Sequence, residues 1–202
     1  SIMILLLGLS IMFIVGVRLW KFILGSVISL IAMPLIWNNL KPYQHKRILV
    51  FLNPESDPLG TGYHLTQSKI ALGSGGITGK GYLQGTQSYL EYLPEKQTDF
   101  IFTLIGEEFG FIGTIFVLIL FLLIIFLSYY ISYKSKHVFG RILSIGIALN
   151  LFLYVFSNTS MVTGLIPVVG VPLPLISQGG TSILIHLIAF GFVLSMKKRQ
   201  TW

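Results

Sequence analysis

The sequence predicts an all-α fold, a polytopic helical membrane protein with about five transmembrane helices and one long polar loop. Three observations predict it. Of 202 residues, 53% are hydrophobic and only 10% charged, where a soluble domain carries about 25% charged residues. Five apolar runs punctuate the chain. All seven acidic residues fall between Glu55 and Glu108, while the short links between the other runs carry only basic charge. Hydrocarbon offers a backbone no hydrogen-bond partners, so each run is expected to be a helix.

Taken in order, the spans are expected at about 1–17, 22–40, 100–131, 142–162 and 173–196. A span needs about 20 apolar residues, with a range of about 17 to 25. The second run reaches that length by extending toward Leu40, and the fifth by extending back toward Leu173. The third is longer than a span requires, so its first turns are expected at or above the membrane surface. Ser1 leads straight into the first run with no basic segment before it, unlike a signal peptide. The chain is therefore expected to begin inside a larger protein.

Charge gives the orientation. Arg18 and Lys21 flank the first link, Lys134, Lys136 and Arg141 fill the third, and Lys197, Lys198 and Arg199 form the tail. The positive-inside rule puts these on the cytoplasmic side. The loop at about 38–98 is then extracytoplasmic and the C-terminus cytoplasmic, with Lys41, Lys46 and Arg47 as basic residues on the opposite side. A loop this long inside a compact domain is commonly functional. The whole chain forms one domain.

The net charge of +7 does not point to nucleic acid, because the basic residues sit at span ends rather than in one run interleaved with aromatics. With no cysteine there is no disulfide, thiolate site or thiol nucleophile. His45, His64, His137 and His186 share no helix-face spacing, so no histidine metal site is expected.

Four stretches could carry chemistry. Residues 73–81, Gly-Ser-Gly-Gly-Ile-Thr-Gly-Lys-Gly, approach a phosphate-binding loop, but Ser74 replaces its first glycine and Gly81 its final Ser or Thr. Two readings stay open: an anion nest of backbone N–H groups, with Lys69 or Lys80 adding charge, or a flexible loop with solvated lysines. Asp99 stands where the loop meets the third span. It is either an N-cap or a partly desolvated carboxylate able to take a proton, and both can hold together. Glu107 and Glu108 follow on the same helix, roughly 12 Å deeper. They either touch substrate or partner a basic group in the part of the protein expected to precede this chain. Gly106 and Gly110 form a GxxxG pair that admits a close neighbour. Finally, residues 164–182 are apolar yet full of glycine and proline. Such a segment is tolerated at membrane depth only against protein or water, as a partly re-entrant cap or a tight hairpin. Asn150 and Asn158 are expected to bond between helices, and His64 and His186 to serve packing.

These segments together resemble the SEDS family (shape, elongation, division and sporulation). The resemblance rests on Asn53-Pro54-Glu55-Ser56-Asp57-Pro58 through His64, Gln67 through Gly76, Leu93-Pro94-Glu95 through Phe102, Gly106-Glu107-Glu108 and the Pro172-Leu173-Pro174 cap. It runs from about Arg47 to the C-terminus, and the wording at 54–58 and 85–88 is nearer the rod-shape branch than the division branch. It implies the C-terminal half of a ten-span glycosyltransferase in the bacterial cytoplasmic membrane, polymerising peptidoglycan from lipid II at the outer face. It also implies a class B penicillin-binding protein and other elongation-complex membrane proteins as partners. The family's proposed catalytic aspartate falls on Asp99. Lys69, Lys80, Glu107, Glu108 and Ser177 are the expected substrate-binding residues. The family cap commonly reads Ser-Tyr-Gly-Gly, where this chain has Ser177-Gln178-Gly179-Gly180.

The chemistry suits a single carboxylate. A lipid pyrophosphate leaves as an anion, so the main demand on the protein is a base for the acceptor hydroxyl. Cations on the pyrophosphate supply the rest, either Lys69, Lys80 or a divalent metal, Mg2+ or Mn2+. A lipid-precursor flippase and a non-catalytic scaffold are the rival readings; only the enzyme would form glycan from lipid II.

Overall fold

The computed structural model describes residues 2–53, 57, 60–86 and 97–198. Pro54, Pro58 and the stretch 87–96, on which several turn and motif expectations rest, lie outside the described residues, as does Arg199. The regular structure of the described residues is all helix: α1 (Ile2–Ile14), α2 (Leu19–Asn39), α3 (Pro42–Leu52), α4 (Thr61–Ser74), α5 (Ile101–Lys134), α6 (Val138–Thr163) and α7 (Gly180–Lys198).

Each expected span overlaps a helix. Three of them, Ile101–Lys134, Val138–Thr163 and Gly180–Lys197, are long and apolar enough to cross a membrane by length and composition. Met3–Ile14 and Leu19–Leu35 are shorter apolar helices. α1 stops where Gly16 takes φ +91°, after a rise of roughly 20 Å. Apolar side chains along α2, from Leu19 to Trp37, are exposed.

Two expectations, for the fifth and the third span, need correction. The fifth helix does not reach back to Leu173 but starts at Gly180. Pro172 and Pro174 have no N–H to give, and Leu175 sits at φ +66°. The long loop carries two helices of its own, α3 and α4. α3 starts on Pro42, with the Gln44 side chain accepting the Lys41 N–H at 2.9 Å. The third expected span is not one unbroken helix, because Gly110 adopts φ 65°, ψ −160° inside α5.

The core lies where α5 and α6 pack, with Phe100, Phe102, Phe121, Leu151, Val155, Met161, Val162 and Leu173 buried together. α4 packs on both helices, and α7 leans on α6. Ser68 of α4 ties the three together: its hydroxyl lies 2.7 Å from that of Thr103 on α5 and donates to the Val162 carbonyl of α6 at 2.9 Å. At the far end of α6, Gly164 takes the left-handed conformation at φ 76°. Its N–H returns to Met161 and that of Leu165 to Ser160, closing the helix as glycine C-caps do. The start of α5, the end of α6 and the start of α7 therefore meet at one end of the bundle.

Candidate functional site

Asp99 lies in the turn that enters α5, half-buried, one residue before the helix N-cap at Phe100. No side chain makes a cap hydrogen bond at that N-cap, so the capping role expected of Asp99 is not the one its position gives it. Instead the turn is anchored through its backbone. Three successive carbonyls each accept a bond from a different donor. The Gln178 N–H donates to Gln97 at 2.8 Å, the Ser177 hydroxyl to Thr98 at 2.6 Å, and the Asn158 amide to Asp99 at 2.8 Å. Asn158 also donates to Val171 at 2.7 Å, and the Leu173 N–H donates to the Ser177 hydroxyl at 2.7 Å.

The segment 164–179 thus lies over the entry of α5 as a cap. Gly170, at φ 72°, rests against the Asp99 carboxylate, where an added Cβ would come 3.1 Å from Oδ2. Two cations touch the same segment. Lys69 packs its ammonium end against Gly164 and has no hydrogen-bond or ion-pair partner among the described residues. Arg47 donates to the Val169 carbonyl at 3.4 Å. One carboxylate and two cations therefore border one short stretch of backbone.

The glycine-rich segment is neither an anion nest nor a loose loop. In an unbroken helix the N–H groups of Phe111 and Ile112 would bond Glu107 and Glu108. The break at Gly110 frees all four groups, and the glycine segment takes them. Lys80 N–H donates to Glu107 O at 3.0 Å and Gly81 N–H to Glu108 O at 3.0 Å, while Phe111 N–H donates to Gly76 O at 2.9 Å and Ile112 N–H to Ile77 O at 3.1 Å. Backbone packs on backbone here: a Cβ on Gly75 would strike the Gly106 carbonyl, and one on Gly79 that of Glu108. The GxxxG pair therefore admits this segment as its close neighbour. The N–H groups of Gly75, Gly76, Gly79, Lys80 and Gly81 are committed to carbonyls.

Lys80 is committed as well. Its ammonium lies 2.8 Å from Oε1 of Glu107 and 2.8 Å from the Thr86 hydroxyl. Glu107 is wholly buried and Glu108 is 5% exposed. The basic partner of Glu107 is thus Lys80 of this same chain, not a group in another part of the protein. The structure gathers the expected residues into two groups, Asp99, Ser177 and Lys69 around the cap, and Lys80 and Glu107 at the helix break. Asn158 bonds not to another helix, as expected, but to the turn before α5 and to the cap, and Asn150 makes no side-chain hydrogen bond among the described residues.

Sequence reasoning missed Asn158 as a neighbour of Asp99, since 59 residues separate them. It also missed the Gly110 break, whose signal was the presence of two glycine-dense stretches able to fit one another. Among the described residues, no group of three or more His, Cys, Asp or Glu could hold a metal ion. His64 packs edge-on to Tyr63 and at a tilt to Phe100. His186 bonds the Ser182 carbonyl at 2.7 Å.

Residues 1–201 match the family named for FtsW, RodA and SpoVE and described as "Cell cycle protein". The peptidoglycan glycosyltransferase MrdB of Escherichia coli K12 is 48% identical over 199 residues, 97% of this chain and 53% of the relative. The peptidoglycan glycosyltransferase RodA of Treponema pallidum is 44% identical over 162 residues, 80% of this chain and 37% of the relative. A probable peptidoglycan glycosyltransferase FtsW of Trichlorobacter lovleyi is 44% identical over 187 residues, 92% of this chain and 48% of the relative. A solved structure described as "Structural coordination of polymerization and crosslinking by a peptidoglycan synthase complex" superposes with a TM-score of 0.79 at 27% identity, covering 98% of this chain and 55% of its own. The chain thus spans about half the length of the curated relatives it matches.

Proposed function

This chain belongs to the FtsW, RodA and SpoVE family of cell cycle proteins, and from that membership we propose that, with the remainder of the protein, it polymerises peptidoglycan glycan strands from lipid II at the outer face of the bacterial cytoplasmic membrane. The elongation branch is favoured by the likeness to MrdB. The observation that carries the proposal is the placement of Asp99: a half-buried carboxylate at the entry of a long apolar helix, roofed by Gly170, on a turn whose carbonyls are fixed.

In this reading the Asp99 carboxylate accepts the proton of the acceptor sugar hydroxyl. The freed oxygen forms the new bond to the anomeric carbon of the donor, and the bond to the lipid pyrophosphate breaks with its electron pair going to the pyrophosphate. One carboxylate suffices because the leaving group departs as an anion and needs no acid. Lys69 and Arg47, along the cap, supply positive charge where that anion forms. Lys80, Glu107 and Glu108 act one step back, holding the helix break that shapes this end of the bundle, and Ser177 holds the cap. The described residues offer no cluster for a resident metal. A divalent cation, Mg2+ or Mn2+, would arrive as the counter-ion of the pyrophosphate, and no step is assigned to it.

A class B penicillin-binding protein is the proposed partner, since the similar solved structure is described as a synthase complex that coordinates polymerisation with crosslinking. The flippase alternative draws no support from Glu107, which Lys80 already neutralises. Purified full-length protein given lipid II should form glycan polymer. A transporter or a scaffold would form none, and that result would overturn the proposal.

A further inference from the structure

We propose that Asn158, with Ser177 as its second anchor, is the positioning residue for the Asp99 carboxylate, clamping the turn that bears it to the cap that roofs it, a role that rests on Asp99 acting as the base.

The Asn158 amide is buried and fully used as a donor. The residue is 0% exposed, and both of its N–H groups are engaged, one on the Asp99 carbonyl at 2.8 Å and one on the Val171 carbonyl at 2.7 Å. Its own oxygen is buried with no hydrogen-bond partner among the described residues. Turning the amide over would aim that oxygen at two carbonyl oxygens, so the geometry itself fixes the orientation. A buried oxygen left without a partner is a cost that native structures rarely keep without return. The return is the pair of donors, which few side chains can supply from this spot. Aspartate has none, serine has one and leucine has none.

What those donors hold together explains the choice. One end is the peptide of Asp99 itself. The other is Val171, the residue after Gly170, and Gly170 is the backbone against which the Asp99 carboxylate rests. A single amide therefore sets both the base and its roof. Ser177 repeats the device one peptide earlier, its hydroxyl donating to Thr98 at 2.6 Å while it accepts from Leu173 at 2.7 Å. The carbonyls of residues 97–99 are all engaged, and Gly170 lies against the Asp99 carboxylate. Misplacing a base by about 1 Å can cost about a hundredfold in rate, so loss of the clamp should appear in turnover rather than in substrate affinity.

The test uses full-length protein and lipid II, with kcat and KM measured on the monodisperse, folded fraction. Asn158→Leu keeps the volume and removes both donors; it should lower kcat roughly 10- to 100-fold and leave KM within about threefold. In an Asp99→Asn background the same change should produce no further loss, because there is no base left to position. Wild-type kcat in folded Asn158→Leu overturns the inference. So does a loss seen in KM alone, or a loss of equal size in the Asp99→Asn background. If Asn158→Leu yields no folded protein, Ser177→Ala decides: a loss confined to kcat supports the clamp, and an unchanged kcat removes it. Full activity in Asp99→Asn itself is a separate result, which sinks the general-base reading rather than the clamp alone.

Discussion

The Lys80 ammonium lies 2.8 Å from a Glu107 carboxylate that is wholly buried, and the Thr86 hydroxyl stands within 3.3 Å of the same oxygen. One of the two readings open from sequence makes Lys80 a phosphate ligand, and on it Lys80→Gln should weaken lipid II binding more than folding. The structure gives Lys80 a structural partner. Removing one member of a buried ion pair costs roughly 3–5 kcal/mol. Lys80 keeps 26% side-chain exposure, which puts the expected loss near the lower figure, about 3 kcal/mol. The thermal midpoint of Lys80→Gln in detergent should fall clearly, and the double change Lys80→Met with Glu107→Leu should recover much of the loss. A Lys80→Gln protein that melts normally but has a raised KM for lipid II would restore the phosphate role.

Glycines at the helix break should differ sharply in tolerance. Gly110 has φ 65° and ψ −160°, and a Cβ there would press on the backbone of Ile77 and Gly79. Strain of this kind costs about 1–3 kcal/mol before the clash is added, so Gly110→Ala should give little folded protein. Gly76 is also at positive φ, 56°, but a Cβ there meets nothing within 4 Å. Gly76→Ala should cost about 1 kcal/mol. Yields and melting points of the two variants check the ranking; equal tolerance would mean that the exchange of hydrogen bonds across the break does not hold the segment.

Much of this was legible in the residues, and the rest was not for definite reasons. The helices follow from apolar runs, because hydrocarbon leaves the backbone no other solution. The prolines at 172 and 174 announced a non-helical cap, and the approach of another element to Gly106 and Gly110 could be read from their spacing. The identity of that element could not, since glycine-to-glycine packing leaves no pattern in either partner. Nor could Asn158 be tied to Asp99, or Lys80 to Glu107, because a hydrogen bond or ion pair between distant segments has no periodicity to read. Such pairings turned two residues with sequence-level substrate roles, Lys80 and Ser177, into residues with structural partners.

Orientation is open to a direct chemical test, and the structure improves the choice of probes. Gly85 is buried against Glu107 and Ser135 is buried at the opposite link, so cysteines there would report burial rather than sidedness. Tyr82 is 70% exposed, and Lys136 is exposed in the basic link. With an impermeant maleimide on intact cells, Tyr82→Cys should label and Lys136→Cys should label only after lysis. The reverse pattern would invert the orientation drawn from the positive-inside rule.

The decisive substitution is Asp99→Asn in the full-length protein. The Asp99 backbone carbonyl is held by Asn158 at 2.8 Å, and asparagine keeps that carbonyl and nearly the same shape. The helix has its N-cap at Phe100, with no side-chain cap hydrogen bond there. Expression, melting point and partner binding should therefore stay near normal. Asparagine cannot accept a proton as a carboxylate does, so polymerisation should fall by roughly 10²–10⁴-fold, the usual contribution of an acid–base residue. Asp99→Ala should lose activity to a similar degree with only a small stability change, whereas a capping aspartate would show the opposite order: a neutral Asn variant and an Ala variant weakened by about 1 kcal/mol. Lipid II polymerised at the normal rate by Asp99→Asn would end the general-base assignment, and the reaction would then have to draw its base from outside this chain's cap and helix entry.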